Sequence, residues 1–297
     1  MTTLHIDTGR EMRGGQWQAL YLLHGLVERG HNVRLLAPAG SPLAQTAAAR
    51  QLNVQPLRLT TLAAAARNAD LIHAHDAHAH TLAVLTGRPA IVSRRVAFPV
   101  RRNLASRWKY RRARHFIAVS ECVRDTLLDA GVDAARITVV YDGVPLPEPA
   151  ERPRTQVVAV DLDDPGKGKK LIEQAGTLAG VTVHFSKNLE EDLPHATLFV
   201  YITDLEGLGS AVLMAMAYGA PVLASRVGGL PEIIDDGITG LLTSNDPAVI
   251  ADSMRRLLSD GSLASQLGAR ARDRVEREFS VDRMVNETLR VYERTLS

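Results

Sequence analysis

The sequence predicts an α/β protein built as two Rossmann-like domains with mainly parallel sheets facing a cleft, and three observations lead there. Short apolar runs alternate with amphipathic stretches from the first residues onward, the rhythm of βα units. The rhythm breaks at "YDGVPLPEPAERPRTQ", where four prolines between Pro145 and Pro153 forbid a helix or a central strand. It then restarts, and 297 residues are enough for two domains of about 150 residues each.

Taken in order, Leu4–Ile6 reads as the first strand and Gly15–Arg29 as a helix, followed by a strand at Asn32–Leu36 and a helix at Leu43–Gln51. Further strands are expected at Asp70–Ala74, Ala90–Ser93, His115–Val119 and Ile137–Tyr141, each separated by a helical or loop segment. After the prolines come a strand at Val157–Val160, a helix at Lys169–Leu178, and strands at Val181–Phe185 and Thr197–Tyr201. A helix from Gly207 to Tyr218, a strand at Pro221–Ala224 and helices over Pro247–Ser259, Ser262–Glu278 and Val281–Leu296 complete the chain. The expected division is 1–146, a linker at 147–156, a second domain at 157–280, and a closing helix at 281–297. Ligands of open α/β sheets sit beyond the carboxyl ends of the strands.

Composition bounds the function. Hydrophobic residues make up 45% of the chain, enough for a sizeable core. No run of about 18 uncharged apolar residues occurs, and MTTLHIDTGR lacks a basic flank before an apolar signal core. The expectation is a soluble cytoplasmic protein, with membrane association from outside the bilayer left open. Cys122 is the only cysteine, which excludes a disulfide framework or a thiolate zinc cage within one chain. Net charge is +2, but Arg88 to Arg114 holds ten Arg or Lys residues and no acid, in "RPAIVSRRVAFPVRRNLASRWKYRRAR". Such a block attracts anions, with Arg94 and Arg95 as candidate contacts; a solvated basic helix face is the plainer alternative. Nucleic acid is not expected, because none of its usual recognition motifs is visible.

Four segments carry candidate chemistry. "GREMRGGQ" follows the first strand, so Gly14 and Gly15 would let backbone approach a ligand at a helix start, although the segment is not the G-x-G-x-x-G fingerprint and a plain turn reads equally well. In "EGLGSAVLMAMAYG" the device recurs, with Gly207, Leu208 and Gly209 opening a helix whose free amides favour an anion by about 0.3–2 kcal/mol. Glu206, itself an anion, fits better as an acceptor for hydroxyls beside a phosphate, or else as an acid favoured by the helix dipole. Lys167, in the Gly-bordered loop "DLDDPGKGKK", is placed to act as a point charge on a diphosphate. Its DLDD raises a divalent-metal reading, against a solvated loop of acids. Finally, "LIHAHDAHAH" places His73, His75, Asp76, His78 and His80 after an apolar strand. H-x-H at a strand end is half of a dinuclear hydrolase site, but later His115, His184 and His195 show no ligand-like pairing, so a metal-free polar role fits better.

Together these segments resemble the retaining nucleotide-sugar glycosyltransferases of family 4, which have the GT-B architecture. "GREMRGGQ", "DLIHAHDAHAH", "IAVSECVRDTLLDAGVDAARITVVYDGV" and the long "EGLGSAVLMAMAYGAPVLASRVGGLPEIIDDGITGLL" carry the resemblance over most of the chain. It implies that Glu206 contacts donor-sugar hydroxyls, Gly207 to Gly209 the phosphate side, Lys167 the diphosphate, Gly14 and Gly15 a phosphate-contacting loop, and His75 the active-site histidine, with His73 and His78 close in register. It further implies a nucleotide-sugar as substrate with no cofactor and no metal, and retention by a front-face path. A glycan, lipid-linked or lipopolysaccharide-type acceptor is suggested by the basic block. Three features depart from the family's pattern. Met214 stands where a second Glu holds the ribose, the Arg partner of the lysine is missing, and the stretch from Lys167 to Glu206 is short. A glycosyltransferase-like binding protein without catalysis is the rival expectation.

Overall fold

The computed structural model describes residues 1–101, 103–148, 154–161 and 165–297. It divides into two compact units: Met1–Gly143 with Val281–Ser297, and Val144–Ser280. Of the expected linker at 147–156, residues 149–153 lie outside the described residues, as do residues 162–164 of the DLDD segment and Arg102 of the basic block.

Unit 1 holds β1 (Thr2–Ile6), α1 (Gly14–Glu28), β2 (Asn32–Ala37), α2 (Pro42–Ala49), β3 (Asn53–Pro56), α3 (Leu59–Arg67), β4 (Leu71–Ala74), α4 (Ala77–Leu85), β5 (Ala90–Arg94), α5 (Leu104–Arg112), β6 (His115–Ala118), α6 (Glu121–Asp129) and β7 (Ile137–Val139). All seven strands are parallel in the order β3-β2-β1-β4-β5-β6-β7. Helical crossovers cover such a sheet, which is why β4 is buried along its whole length and its neighbours read as apolar runs. β3 was not singled out by the sequence: it is an edge strand, only partly buried and ending in Pro56, where a missing ladder donor is tolerated.

Unit 2 holds β8 (Gln156–Val160), α7 (Lys169–Ala179), β9 (Val183–Ser186), α8 (Leu189–Asp192), β10 (Ala196–Tyr201), α9 (Ser210–Ala217), β11 (Val222–Ser225), α10 (Leu230–Ile233), β12 (Leu241–Thr243), α11 (Pro247–Ser259) and α12 (Gly261–Glu278). Its five strands are parallel in the order β12-β11-β10-β8-β9. The helix expected from Gly207 starts three residues later, at Ser210, because Gly209 has φ of +106°, outside the helical region.

The last helix, α13 (Val281–Leu296), belongs to unit 1. Met284, Val285, Thr288, Val291, Tyr292 and Thr295 recur at helical spacing and are buried, so one face of α13 completes the unit 1 core with Leu22, Leu23 and Leu26 of α1. Gly25 permits the close packing: a Cβ there would lie 2.6 Å from Val285 Cγ2. Arg29 fastens the same edge through Asn286 Oδ1 at 3.0 Å and an ion pair with Asp282.

Candidate active site

The expected site residues fall into two groups, one in each unit. In unit 2 the strand order, numbered within the unit, is 5-4-3-1-2, so the chain reverses direction across the sheet between β8 and β10. That switch point is where a doubly wound sheet binds its ligand. Lys167 ends a short 3-10 turn after β8, and Glu206 follows β10. Lys167 Nζ lies 2.7 Å from Glu206 Oε2 and 3.1 Å from the Tyr201 hydroxyl, which itself donates to Glu206 Oε2. The amide of Gly207 donates to Glu206 Oε1 at 3.0 Å. Lysine and glutamate side chains are 23% and 16% exposed, so the pair is shielded yet reachable by a ligand. Tyr201 was not anticipated, because a tyrosine ending an apolar strand gives no hint that its hydroxyl turns toward the acid.

Three loops meet around this carboxylate. Thr203 Oγ1 and the Asp204 amide both donate to the Gly166 carbonyl, at 3.0 Å each, tying the lysine loop to the glutamate loop. Asn245 donates to Thr203 O at 3.0 Å and Asp204 Oδ1 at 3.1 Å, and accepts from Ser225 Oγ at 2.6 Å. Glycines permit the approach. Gly228 has φ of +55°, and a Cβ there would stand 1.9 Å from the Glu206 carbonyl oxygen; one on Gly229 would stand 2.2 Å from that of Gly207. The side chain of Leu208 is buried in the core, so Leu208 offers the site its backbone alone. Asp161, just beyond β8, pairs with Lys169 at 2.6 Å and Lys187 at 3.7 Å. Met214 is half-buried in α9.

In unit 1 the order reverses between β1 and β4, and a histidine cluster sits there. His5 of β1 and His73 of β4 are fully buried and His75, just beyond β4, nearly so. His75 Nε2 is 3.0 Å from His5 Nδ1, and His5 Nε2 is 3.1 Å from Thr3 Oγ1. His73 lies between the Tyr292 hydroxyl, at 2.6 Å, and Ser93 Oγ, at 2.7 Å. Arg95 Nη1 faces His75 Nδ1 at 3.4 Å while its Nε pairs with Asp142 at 3.3 Å. Burial, above all, pushes His5 down to about 3 and holds His73 and His75 well below the usual histidine range, with Arg95 adding to the effect on the latter two. All three rings are therefore neutral near pH 7.

The candidate histidines separate by burial. His78 is exposed on α4, and His80 turns to the Lys109 carbonyl at 3.2 Å, leaving His73 and His75 in the cluster. Nitrogens of His5, His73 and His75 lie within 4.8 Å of one another, but each of the six ring nitrogens has a partner within the chain and a guanidinium faces one of them. That is the donor set of a hydrogen-bonded relay and does not fit a metal cage.

Gly14 and Gly15 open α1, and a Cβ on Gly15 would touch Arg95 Cδ at 3.5 Å, so the glycine loop and Arg95 are neighbours. Burial raises the Asp7 carboxyl, which accepts from the Gly9 amide at 2.8 Å and from Gln16 Nε2 at 3.1 Å, and this fixes the loop's entry into α1. The two arginines separate in role: Arg94 donates to the Tyr110 hydroxyl at 3.0 Å and to the Phe98 carbonyl, bracing the basic segment. That segment exposes Phe98, Leu104 and Trp108 beside its cations. No helix among the described residues is long and apolar enough to cross a membrane.

Comparison with known proteins bears on the family and the fold. The family model for glycosyl transferases group 1 matches residues 136–274, and that for Glycosyltransferase Family 4 matches residues 12–147. The chain belongs to the family 4 glycosyltransferases, and its two parallel α/β units are those of the GT-B fold. A crystal structure of Anabaena Alr3699/HepE in complex with UDP and glucose is similar over 99% of both chains, at 16% identity and a TM-score of 0.86. N-acetyl-alpha-D-glucosaminyl L-malate synthase of Bacillus anthracis is 36% identical over 106 residues, which is 35% of this chain and 28% of that protein. D-inositol 3-phosphate glycosyltransferase of Salinispora arenicola is 41% identical over 130 residues, 41% of this chain and 29% of that protein. The chain thus spans under a third of the length of these curated relatives.

Proposed function

We propose that the chain transfers a sugar from a nucleotide-sugar donor to an anionic glycan, lipid-linked or lipopolysaccharide-type acceptor, without a metal and with retention of anomeric configuration. The observation that carries this reading is the Lys167–Glu206–Tyr201 cluster at the β8/β10 switch point. In the donor complex Lys167 would leave Glu206 for the diphosphate, and the carboxylate would accept from sugar hydroxyls, with Tyr201 retained as its partner. The first-turn amides of α9, which have no intrahelical acceptor, add partial positive charge for the departing diphosphate. The anomeric C–O bond to phosphate breaks, the acceptor oxygen bonds to that carbon from the same face, and its proton passes to the leaving phosphate oxygen. Preorganised donors at the leaving group supply the main stabilisation of such a transition state.

In unit 1, Arg95 beside Gly15 supports an anionic acceptor, and the relatives' names, which include malate and inositol 3-phosphate, point the same way. Exposed Phe98, Leu104 and Trp108 among cations support peripheral contact of this segment with an anionic, lipid-bearing surface. A second reading, a sugar-nucleotide-binding protein without turnover, is favoured by one observation: Met214 stands where the family's second Glu would hold the ribose. Calorimetry with uridine, guanosine and adenosine diphosphates, with and without Mg²⁺, tests both. Binding of one of them, lost in Lys167→Ala, supports a donor site, and product formation then separates enzyme from binder. No heat with any of the three would abandon the donor site.

A further inference from the structure

We propose that His5 is a positioning residue of the transfer site: it holds His75 in the neutral tautomer with Nε2 protonated, so that Nδ1 accepts from Arg95 and keeps that guanidinium in place. The proposal rests on the reading above, in which Arg95 is the anion-facing group of unit 1.

The direction of the relay follows from one fixed point. A guanidinium can only donate. His75 Nδ1, the nitrogen facing Arg95, is therefore the acceptor, and the single proton of the neutral ring sits on Nε2. That N–H points at His5 Nδ1, 3.0 Å away, so His5 in turn carries its proton on Nε2 and donates to Thr3 Oγ1. Starting from Arg95, only one assignment of protons satisfies every link. His73 cannot take over the task, since both of its nitrogens are engaged by Tyr292 and Ser93.

Burial explains why such a relay holds one state. His5 occupies a central strand where an aliphatic side chain would pack without a desolvation cost, and it has no solvent-exposed surface. A His75 with the proton on Nδ1 would turn an N–H toward the arginine, and Arg95 would keep Asp142 alone as its anchor. The Arg95 side chain is 12% exposed, a buried stem with a reachable end. Fixed at its inner side by His75 and Asp142, it presents that end beside the glycine loop without the entropy loss of ordering a free arginine on each binding event.

Two variants of the full chain separate positioning from packing. In His5→Asn the amide oxygen falls near the place of Nδ1 and keeps an acceptor for His75, while leaving a void. In His5→Phe the ring volume is kept and the acceptor is lost. Nitrogen NMR of the histidine-labelled protein should show His75 protonated on Nε2 in the parent and in His5→Asn, and a changed tautomer population in His5→Phe. For transfer, His5→Phe should lower kcat about ten- to a hundredfold, the worth of one orphaned buried donor, with donor KM changed less than about threefold. His5→Asn should retain most of kcat although its Tm falls more. A His75 protonated on Nδ1 in the parent overturns the proposal, as do activities that track Tm in both variants, or stoichiometric zinc that is lost in either one. Unchanged transfer in Arg95→Ala overturns it together with the reading on which it stands, whereas the tautomer result bears on the relay alone.

Discussion

Gly228→Ala probes how the unit 2 site is held together. Gly228 combines a left-handed backbone with a Cβ position 1.9 Å from the Glu206 carbonyl oxygen, and real Cβ contacts stay above 3.0 Å, so the chain must open by 3.0 − 1.9 = 1.1 Å. The hydrogen bond from the Gly229 amide to Glu206 O, 3.2 Å long, is the first casualty. Shifting the Glu206 backbone by that amount also disengages a carboxylate that now meets Lys167 at 2.7 Å. Strain from the left-handed conformation costs about 1–2 kcal/mol and the overpacking about 1–3 kcal/mol, so a loss of about 2–5 kcal/mol is expected. For a domain of this size that lowers Tm by roughly 5–15 °C. Nucleoside diphosphate binding, measured below the new Tm, should weaken at least about tenfold, since a misplaced Lys167 loses a charge-assisted contact. Gly228→Asn separates the two causes: asparagine tolerates the left-handed region but still brings a Cβ, so it should behave like alanine. A Tm within about 2 °C of the parent and binding within about twofold would refute the close-packed account of the site.

Other expectations follow from the same geometry. Met214→Glu, at the family's ribose position, should tighten nucleoside diphosphate binding by about tenfold in calorimetry; weaker binding with a lower Tm would instead mark Met214 as packing. Lys167→Met, which keeps the side-chain length and removes the charge, should weaken diphosphate binding about ten- to a hundredfold while nucleoside binding is unchanged, and equal losses for both would contradict its diphosphate role. Acid should destabilise unit 1. His5, depressed to about 3, and His73 and His75, held well below the usual histidine range by burial, are neutral when folded and take up protons on unfolding below pH 6.5. Their contribution is present in full above that pH and is lost as pH falls from 6.5 toward 3, at up to about 1.4 kcal/mol per pH unit for each ring. Denaturant titrations at pH 7, 6 and 5 should show it, and His5→Phe should reduce the slope by about one proton.

How far the sequence reveals this architecture depends on the range of the interactions involved. Ten of the twelve parallel strands, all but β3 and β12, and the helices Pro247–Ser259 and Val281–Leu296 are legible because periodicity and caps are local. Glu206 and Lys167 are legible through their glycine-bordered loops, although nothing local says that they touch across 39 positions. The part played by His5 is hidden, because a histidine among apolar residues in "LHI" looks the same whether it is a packed core residue or one link in a relay. Tyr292 meets His73 across 219 positions, a contact that only the packing of α13 creates. The late start of α9 is hidden for a different reason: Gly209 is compatible with helix, and nothing local indicates that it takes φ of +106°, at a place where a Cβ would lie 2.7 Å from Leu230 Cδ2.

Release of nucleoside diphosphate from a panel of nucleotide sugars, offered with anionic acceptors to the parent chain and to Glu206→Ala, tests the central claim most directly. The account predicts release with one donor by the parent and a loss of at least about a hundredfold in the variant, with its Tm within a few degrees, because the carboxylate is a partly exposed ligand group. Equal release by the two proteins, or none by the parent with any donor, would contradict it.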